Sequence, residues 1–254
     1  MQKKIKNILI TGASSGIGEA LALEYAQNGA ENLFLSGRNS ERLQKIVQKC
    51  QNFGCTVNGK IIDVADKSAM EKWIDECNQT APLNLVFANA GVSTGEETPE
   101  NIYNTFNTNV MGVINTVTPV VELYKKRNDD SEKIIAITAS IAGYHGLSAC
   151  PSYSASKACV KAYGEALRNS LRAEKIAVSV ICPGFIRSRI TDKNTCPMPF
   201  FMEADKAASI IYKGIQRNTG LIAFPWPMRF GVWLLSILPN CLSDFIYSRL
   251  PHKV

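Results

Sequence analysis

The sequence predicts an α/β protein built on one doubly wound parallel sheet. Three observations point there. Short apolar, β-branched runs alternate with longer amphipathic ones through about residue 183. The short runs are nearly continuous in apolar residues rather than alternating, as in strands covered on both faces. A glycine-rich turn, TGASSGIG at residues 11–18, joins the first short run to the first long one. With 254 residues the chain is near the size at which a single core stops growing. No linker or internal repeat interrupts the pattern, so residues 1–254 are expected to form one domain.

The elements follow in order. NILIT (7–11) is the first expected strand. The basic residues before it resemble the start of a signal peptide, but the apolar run Ile8–Ile10 is too short for one. A helix from about Ile17 to Asn28 ends at Gly29, a natural C-cap. LFLSG (33–37) is the second strand, followed by a helix that starts after Asn39-Ser40 and runs to about Asn52. GKIIDV (59–64) is the third, and Asp66 is a good N-cap for a helix reaching about Gln79. LNLVFAN (83–89) leads to a long helix over roughly 100–127. KIIAIT (133–138) leads to another over roughly 152–174, and AVSVICP (177–183) is the sixth strand. Repeated strand–helix–strand units give a sheet of the Rossmann type, in which ligands bind at the carboxyl ends of the strands.

Composition excludes several classes. Apolar residues make up 46% of the chain, too many for disorder. The net charge of +6 is spread thinly, and no aromatics interleave with the basic residues, so no nucleic-acid partner is expected. The eight cysteines include no C-x-x-C, and there are only two histidines, His145 and His252, so no metal site is expected. A chain this long needs no disulfide staples, which favours reduced cysteines and a cytoplasmic location. No uninterrupted run of about 18 apolar residues exists to span a membrane.

The chemistry is sought after each strand. In TGASSGIG, Gly12, Gly16 and Gly18 let the backbone approach a pyrophosphate, and the helix that opens at Ile17 points its amides at the anion. Ser14 and Ser15 add hydroxyls. A plain tight turn seldom requires three glycines. After the second strand, Arg38 stands where an acid would meet a ribose 2′-hydroxyl; an Arg suits a 2′-phosphate, which favours NADP(H) over NAD(H). A surface arginine flanking a helix is the alternative. Asp63, before Val64, is either an acceptor for an adenine amino group or a turn residue. In ANAG (88–91), Asn89, Ala90 and Gly91 suit a backbone passing close to a cofactor, or an ordinary turn.

Ser140 follows the fifth strand, and SYSASK (152–157) holds Tyr153 and Lys157 four residues apart, on one helical face. A free phenol titrates near pKa ~10 and is a poor acid-base catalyst at neutral pH. A neighbouring ammonium and an oxidised nicotinamide are both expected to lower that pKa. Tyr153 could then exchange a proton with a carbonyl or alcohol oxygen while Ser140 donates a hydrogen bond to it.

In order and spacing these motifs resemble the short-chain dehydrogenase/reductase family, in its single-domain subtype of about this length. The resemblance covers residues 5 to about 190: TGASSGIG, Asp63-Val64, ANAG, Asn109 in NTNV, Ser140, YSASK and Pro183-Gly184. It implies a nicotinamide cofactor and a Ser-Tyr-Lys centre, with Asn109 holding Lys157 through water and Lys157 binding the nicotinamide ribose. It also implies a small-molecule carbonyl or alcohol substrate and a homo-oligomer, dimer or tetramer. Two positions depart from the family pattern. Ala88 replaces a usual Asn, and Ser188 stands where Thr meets the nicotinamide carboxamide, keeping the hydroxyl. Ile186 is expected to pack there or to contact the carboxamide through its backbone.

Residues 185–203, with Pro197, Met198, Pro199, Phe200, Phe201 and Met202, read as a substrate lid with an apolar inner surface. The tail 224–254 is mostly apolar to Leu250 and holds two of the three Trp. It could cover the pocket, form a subunit interface, or lie in a membrane surface beside Arg229 and Arg249, giving peripheral contact. An NADP(H)-dependent oxidoreductase acting on a lipophilic carbonyl or alcohol accounts for most of these features. The rivals are a non-catalytic dinucleotide-binding sensor or scaffold, and an epimerase or dehydratase.

Overall fold

The computed structural model describes residues 5–193 and 197–239, together with Leu242 and Ile246. Seven parallel strands form one sheet in the order β3-β2-β1-β4-β5-β6-β7. They are β1 (Asn7–Ile10), β2 (Asn32–Gly37), β3 (Thr56–Ile61), β4 (Leu85–Ala88), β5 (Ile134–Thr138), β6 (Ala177–Pro183) and β7 (Leu221–Phe224). The order grows outward in one direction from β1 and in the other from β4. The crevice between those two strands is therefore the topological switch point, where such sheets bind ligands.

Helices α1 (Gly16–Gln27), α2 (Ser40–Gln51) and α7 (Ala204–Gln216) bury one face of the sheet; α3 (Lys67–Thr80), α5 (Gly112–Lys126) and α6 (Pro151–Ser170) bury the other. Strand residues divide alternately between the two cores: Ile8 and Ile10 face one and Leu9 the other, as do Leu85 and Phe87 against Val86. Burial on both faces is what makes the strand sequences continuously apolar. The expected caps form. Asn39 accepts from Arg42 N at 2.9 Å, and Asp66 accepts from Ala69 N at 3.0 Å. Gly29, at φ +85°, closes the end of α1.

The third strand corrects the sequence expectation of 59–64. It runs from Thr56 to Ile61, pairs only with β2, and is largely exposed. Ile62 and Val64 lie beyond it, buried in the turn against the α3–α5 side. The expected helix over 100–127 is α4 (Pro99–Phe106) and α5 joined by one π turn, Asn107–Met111. The expected helix 152–174 starts one residue earlier and ends at Ser170. In the expected lid, Ile186 pairs with Met202 in an isolated bridge; residues 194–196 of it lie outside the described residues. Phe224, the expected start of the tail, is the buried last residue of β7, and α8 (Trp226–Ile237) follows. Arg249 lies outside the described residues. Among the described residues no helix is long and apolar enough to cross a membrane.

Candidate active site

The carboxyl ends of the strands open into one cavity of about 590 Å³. It begins at the turn after β1. Gly12 and Gly16 take positive φ, +68° and +60°, which a side chain would strain. Gly18 is needed for a different reason: a β-carbon there would sit 2.3 Å from the Gly12 carbonyl oxygen. Ser15 occupies the N-cap of α1 without capping it, so no cap side chain competes for the amides at that helix start. Gly12, Ser14, Ser15, Gly16 and Ile17 line the cavity; Gly18 lies behind them.

The turn is tied to the ANAG segment by Thr11, which the sequence reading did not single out. The Thr11 hydroxyl donates to Phe87 O (3.1 Å) and accepts from Asn89 N (2.9 Å) and Ala90 N (3.1 Å). The Asn89 amide donates back to Thr11 O (3.0 Å), and its oxygen accepts from Thr138 Oγ1 (3.2 Å). These bonds fix the ends of β1, β4 and β5 relative to one another. Asn89, Ala90 and Gly91 all line the cavity, and Ala88 is a buried strand residue.

At the far end the cavity reaches Gly37, Arg38, Asp63 and Val64. The Asp63 carboxylate accepts from Ala65 N at 3.0 Å, the contact of a turn residue, and its other oxygen lies 3.9 Å from Arg38. Arg42 also lines this end, and its Nε is buried with no hydrogen-bond partner among the described residues; so is the Ser36 hydroxyl. A buried arginine donor left unsatisfied beside Arg38 fits an anionic group. Arg42 was missed because a basic residue in the first turn of a helix reads as surface; the lack of any acid at the end of β2 was the available signal.

The near end is formed by Pro183, Gly184, Ile186 and Ser188 on one side and Tyr153 and Lys157 on the other. Ile186 is buried in the core, so it packs. The Ser188 amide donates to the Thr191 hydroxyl at 2.9 Å. Ser140 is buried just behind the cavity wall, donating to Pro183 O at 3.4 Å and accepting from Ala142 N at 3.1 Å. Lys157 Nζ donates to Thr138 O at 2.9 Å and stands 5.8 Å from the Tyr153 ring centre. Asn109 lies in the π turn and does not line the cavity. Its amide clamps Val92 (Oδ1 from Val92 N, 2.8 Å; Nδ2 to Val92 O, 2.9 Å) and donates to Ser156 Oγ at 3.0 Å. A β-carbon on Gly91 would lie 3.3 Å from both Asn109 Oδ1 and Lys157 Nζ, so glycine keeps that junction open.

Burial sets the electrostatics. It pushes the Tyr153 phenol up to about 12, with a Ser140 hydrogen bond pulling the other way. It pushes the Lys157 ammonium down to about 8. The expectation of a lowered Tyr153 pKa is thus corrected for the chain itself. Withdrawal from water outweighs the Ser140 bond.

A third missed residue holds the helix α6, which carries Tyr153 and Lys157. The first turn of α6 has no side-chain cap of its own, and Glu97, from the loop after β4, accepts from Ser152 N at 3.2 Å and Ser152 Oγ at 2.8 Å. The pair is 55 residues apart, so no local pattern shows it. Glu97→Ala is expected to cost about 1 kcal/mol, lowering the melting temperature by about 2–4 °C, with Glu97→Gln recovering part of it. Thermal unfolding of the three proteins measures this; equal melting temperatures would mean the contact holds nothing in place.

The model of the short chain dehydrogenase family matches residues 6–197. An uncharacterized oxidoreductase of Myxococcus xanthus is 36% identical over 96% of this chain and 97% of its own. A protein of Arabidopsis thaliana named 11-beta-hydroxysteroid dehydrogenase-like 4A is 31% identical over 93% of this chain and 82% of its own. Among solved structures, a short-chain dehydrogenase/reductase of Burkholderia phymatum in complex with NAD aligns with TM-score 0.82 at 23% identity, covering 100% of this chain and 99% of that one. One of Sphingobium yanoikuyae in complex with NADPH aligns with TM-score 0.80 at 22% identity, covering 98% of each chain. At those identities the two structures speak to the fold.

Proposed function

The chain belongs to the short-chain dehydrogenase/reductase family of oxidoreductases, and from that premise we propose that it is an NADP(H)-dependent reductase of a lipophilic carbonyl, or dehydrogenase of the matching secondary alcohol, with Tyr153 as acid-base. The observation that carries this is the span of one cavity from Arg38 and the unsatisfied Arg42 Nε to Tyr153 and Lys157. The glycine turn and the uncapped start of α1 fit a pyrophosphate, and the two arginines fit a 2′-phosphate. When bound, the nicotinamide supplies or accepts the hydride.

The chain's own residues do the rest. The Tyr153 phenol donates its proton to the carbonyl oxygen as negative charge develops there, and the Ser140 hydroxyl, turning from its long bond to Pro183 O, donates a hydrogen bond to the same oxygen. Lys157, anchored on Thr138 O, meets the nicotinamide ribose and favours the phenolate that results. Asn109 steadies the loop through Val92. Because its side-chain amide is already engaged, a water between Asn109 and Lys157 falls to the main chain of its π turn. Gly12, Ser14, Ser15, Gly16, Ile17, Gly18, Asp63, Val64, Asn89, Ala90, Gly91, Pro183, Gly184, Ile186 and Ser188 shape the cofactor's bed.

An apolar substrate accords with the exposed Phe200 and Phe201 and with Met228 of α8, which stands against Gly184. The Arabidopsis relative's name refers to a hydroxysteroid, an alcohol of that character. The exposed Tyr103 of α4 and Met111 of the π turn fit a homo-oligomer formed through the α4–α5 segment. No disulfide links the six described cysteines to one another, which suits the cytoplasm.

The test is NADPH consumption across ketones of rising chain length, followed by its optical absorbance, with NADH in parallel. Replacing Arg38 and Arg42 together by Ala is expected to raise the KM for NADPH by about 10–100-fold while leaving that for NADH unchanged, the cost of losing charge-assisted phosphate bonds. An equal loss with both cofactors would overturn the NADP(H) preference.

A further inference from the structure

One surface of the molecule lies outside the proposed chemistry. Helix α8 buries none of its residues fully. Its Met228 and Val232 lean on the core, while Trp226, Phe230, Trp233, Leu234 and Ile237 are exposed, Trp226 by 76% and Ile237 by 58%. The spacings of four, three, one and three place those five side chains within about 100° of the helix circumference. They make one apolar stripe rather than scattered contacts. Leu242 and Ile246, also exposed, continue the run of apolar residues past the helix. Exposed stripes of this kind mark an interaction surface.

The charge around the stripe selects the partner. Arg229 is exposed at its edge, and α8 carries no acidic residue. Lys161 stands 4.7 Å from the Tyr144 ring centre, and Arg229 acts on the same tyrosine, so two cations flank this end of α8; Glu165 pairs with Lys161. Arg229 is the one charged residue of α8. Two copies joined across α8 would leave Arg229 of each copy facing a helix with no acidic residue to receive it. An anionic lipid surface answers both the apolar stripe and the charge.

We propose that the α8 face docks on an anionic membrane surface, with Trp226, Phe230, Trp233, Leu234 and Ile237 entering the interface and Arg229 meeting the headgroups. The docking stands without the reductase reading. Joined to it, docking gives a lipophilic substrate a direct entry, because the first turn of α8 abuts Gly184 at the near end of the cavity, and α8 packs near residues 141–143, which follow Ser140.

The experiment is flotation of the full chain with vesicles of phosphatidylcholine containing a quarter phosphatidylglycerol, against pure phosphatidylcholine. The expected result is recovery with the anionic vesicles, at least about tenfold weaker partition onto the neutral ones, and loss of most binding between about 0.1 M and 1 M salt. Phe230→Glu with Trp233→Glu, both at exposed positions, is expected to lower anionic partition at least about tenfold. The wild type also reports by itself. Trp226 and Trp233 are exposed and Trp73 is buried, so tryptophan emission is expected to shift to the blue on anionic vesicles. No co-flotation and no shift would overturn the proposal. An oligomer in sedimentation velocity that the double substitution dissolves to monomers would also overturn it, by showing that a second copy covers the face. None of these readouts requires turnover, so failure of docking and failure of the reductase reading are separable.

Discussion

Tyr153→Phe is expected to lower kcat for carbonyl reduction by about 10²–10⁴-fold, the range that a positioned general acid supplies. The ring is retained, so the wall of the cavity keeps its shape. NADPH is expected to raise the melting temperature of the variant as much as that of the wild type, since a ligand bound only by the folded state stabilises it by its occupancy. The pH profile gives a second readout. With the Tyr153 phenol held up to about 12, the proton is present through neutral pH, and reduction is expected to fall only on the alkaline side. Alcohol oxidation needs the phenolate and is expected to rise with pH. Turnover by the Phe variant at the wild-type rate would remove Tyr153 from the chemistry. Loss of NADPH stabilisation would assign it to binding instead.

The parts of this molecule that the sequence displays are those with a local signature. Five of the seven strands, β1, β2, β4, β5 and β6, stand out because burial on both faces demands unbroken apolar runs, and Tyr153 and Lys157 stand out because one helical turn separates them. Legibility fails where the cause is distant or weak. The edge strand β3 is exposed and paired on one side only, so its polar residues hid its start and the buried Ile62 and Val64 shifted its expected end. The four-residue β7 at the other edge was missed, as was α7 before it. The π turn at 107–111 keeps the helical run of apolar residues, and one wider turn changes no residue type. Arg42 and Glu97 look like surface charges until the fold brings the ends of β2 and α6 beside them. The pKa of Tyr153 depends on burial, which no residue spacing reveals.

Lys157→Met is expected to separate function from stability. Burial pushes the Lys157 ammonium down to about 8 from an ordinary 10.5, so at pH 7 the folded chain holds a charge that it would be easier to leave in water. The sign follows from proton counts. Below about pH 8 the amine is protonated in both states, and the folded state bears the full penalty. Between about 8 and 10.5 the unfolded state binds more protons than the folded one, so stability from this group rises with pH. Methionine fills the same channel without the charge. It gives up the bond to Thr138 O, worth about 1 kcal/mol, and removes a larger burial penalty, for a net gain on the order of 2 kcal/mol. In a chain of this size that is about 4–8 °C in melting temperature at pH 7, with the gap to the wild type narrowing above about pH 8. The same substitution is expected to lower kcat by at least about 10²-fold, because the phenolate formed at Tyr153 loses its neighbouring cation. A variant that is inactive yet more stable would mark Lys157 as a residue retained at a cost in stability for the chemistry. A variant that is inactive and less stable would make the lysine part of the architecture, with its bond to Thr138 the dominant contact. Measuring melting temperature at pH 7 and at about pH 10, beside kcat, separates the two, since only a relieved charge makes the stability gap depend on pH.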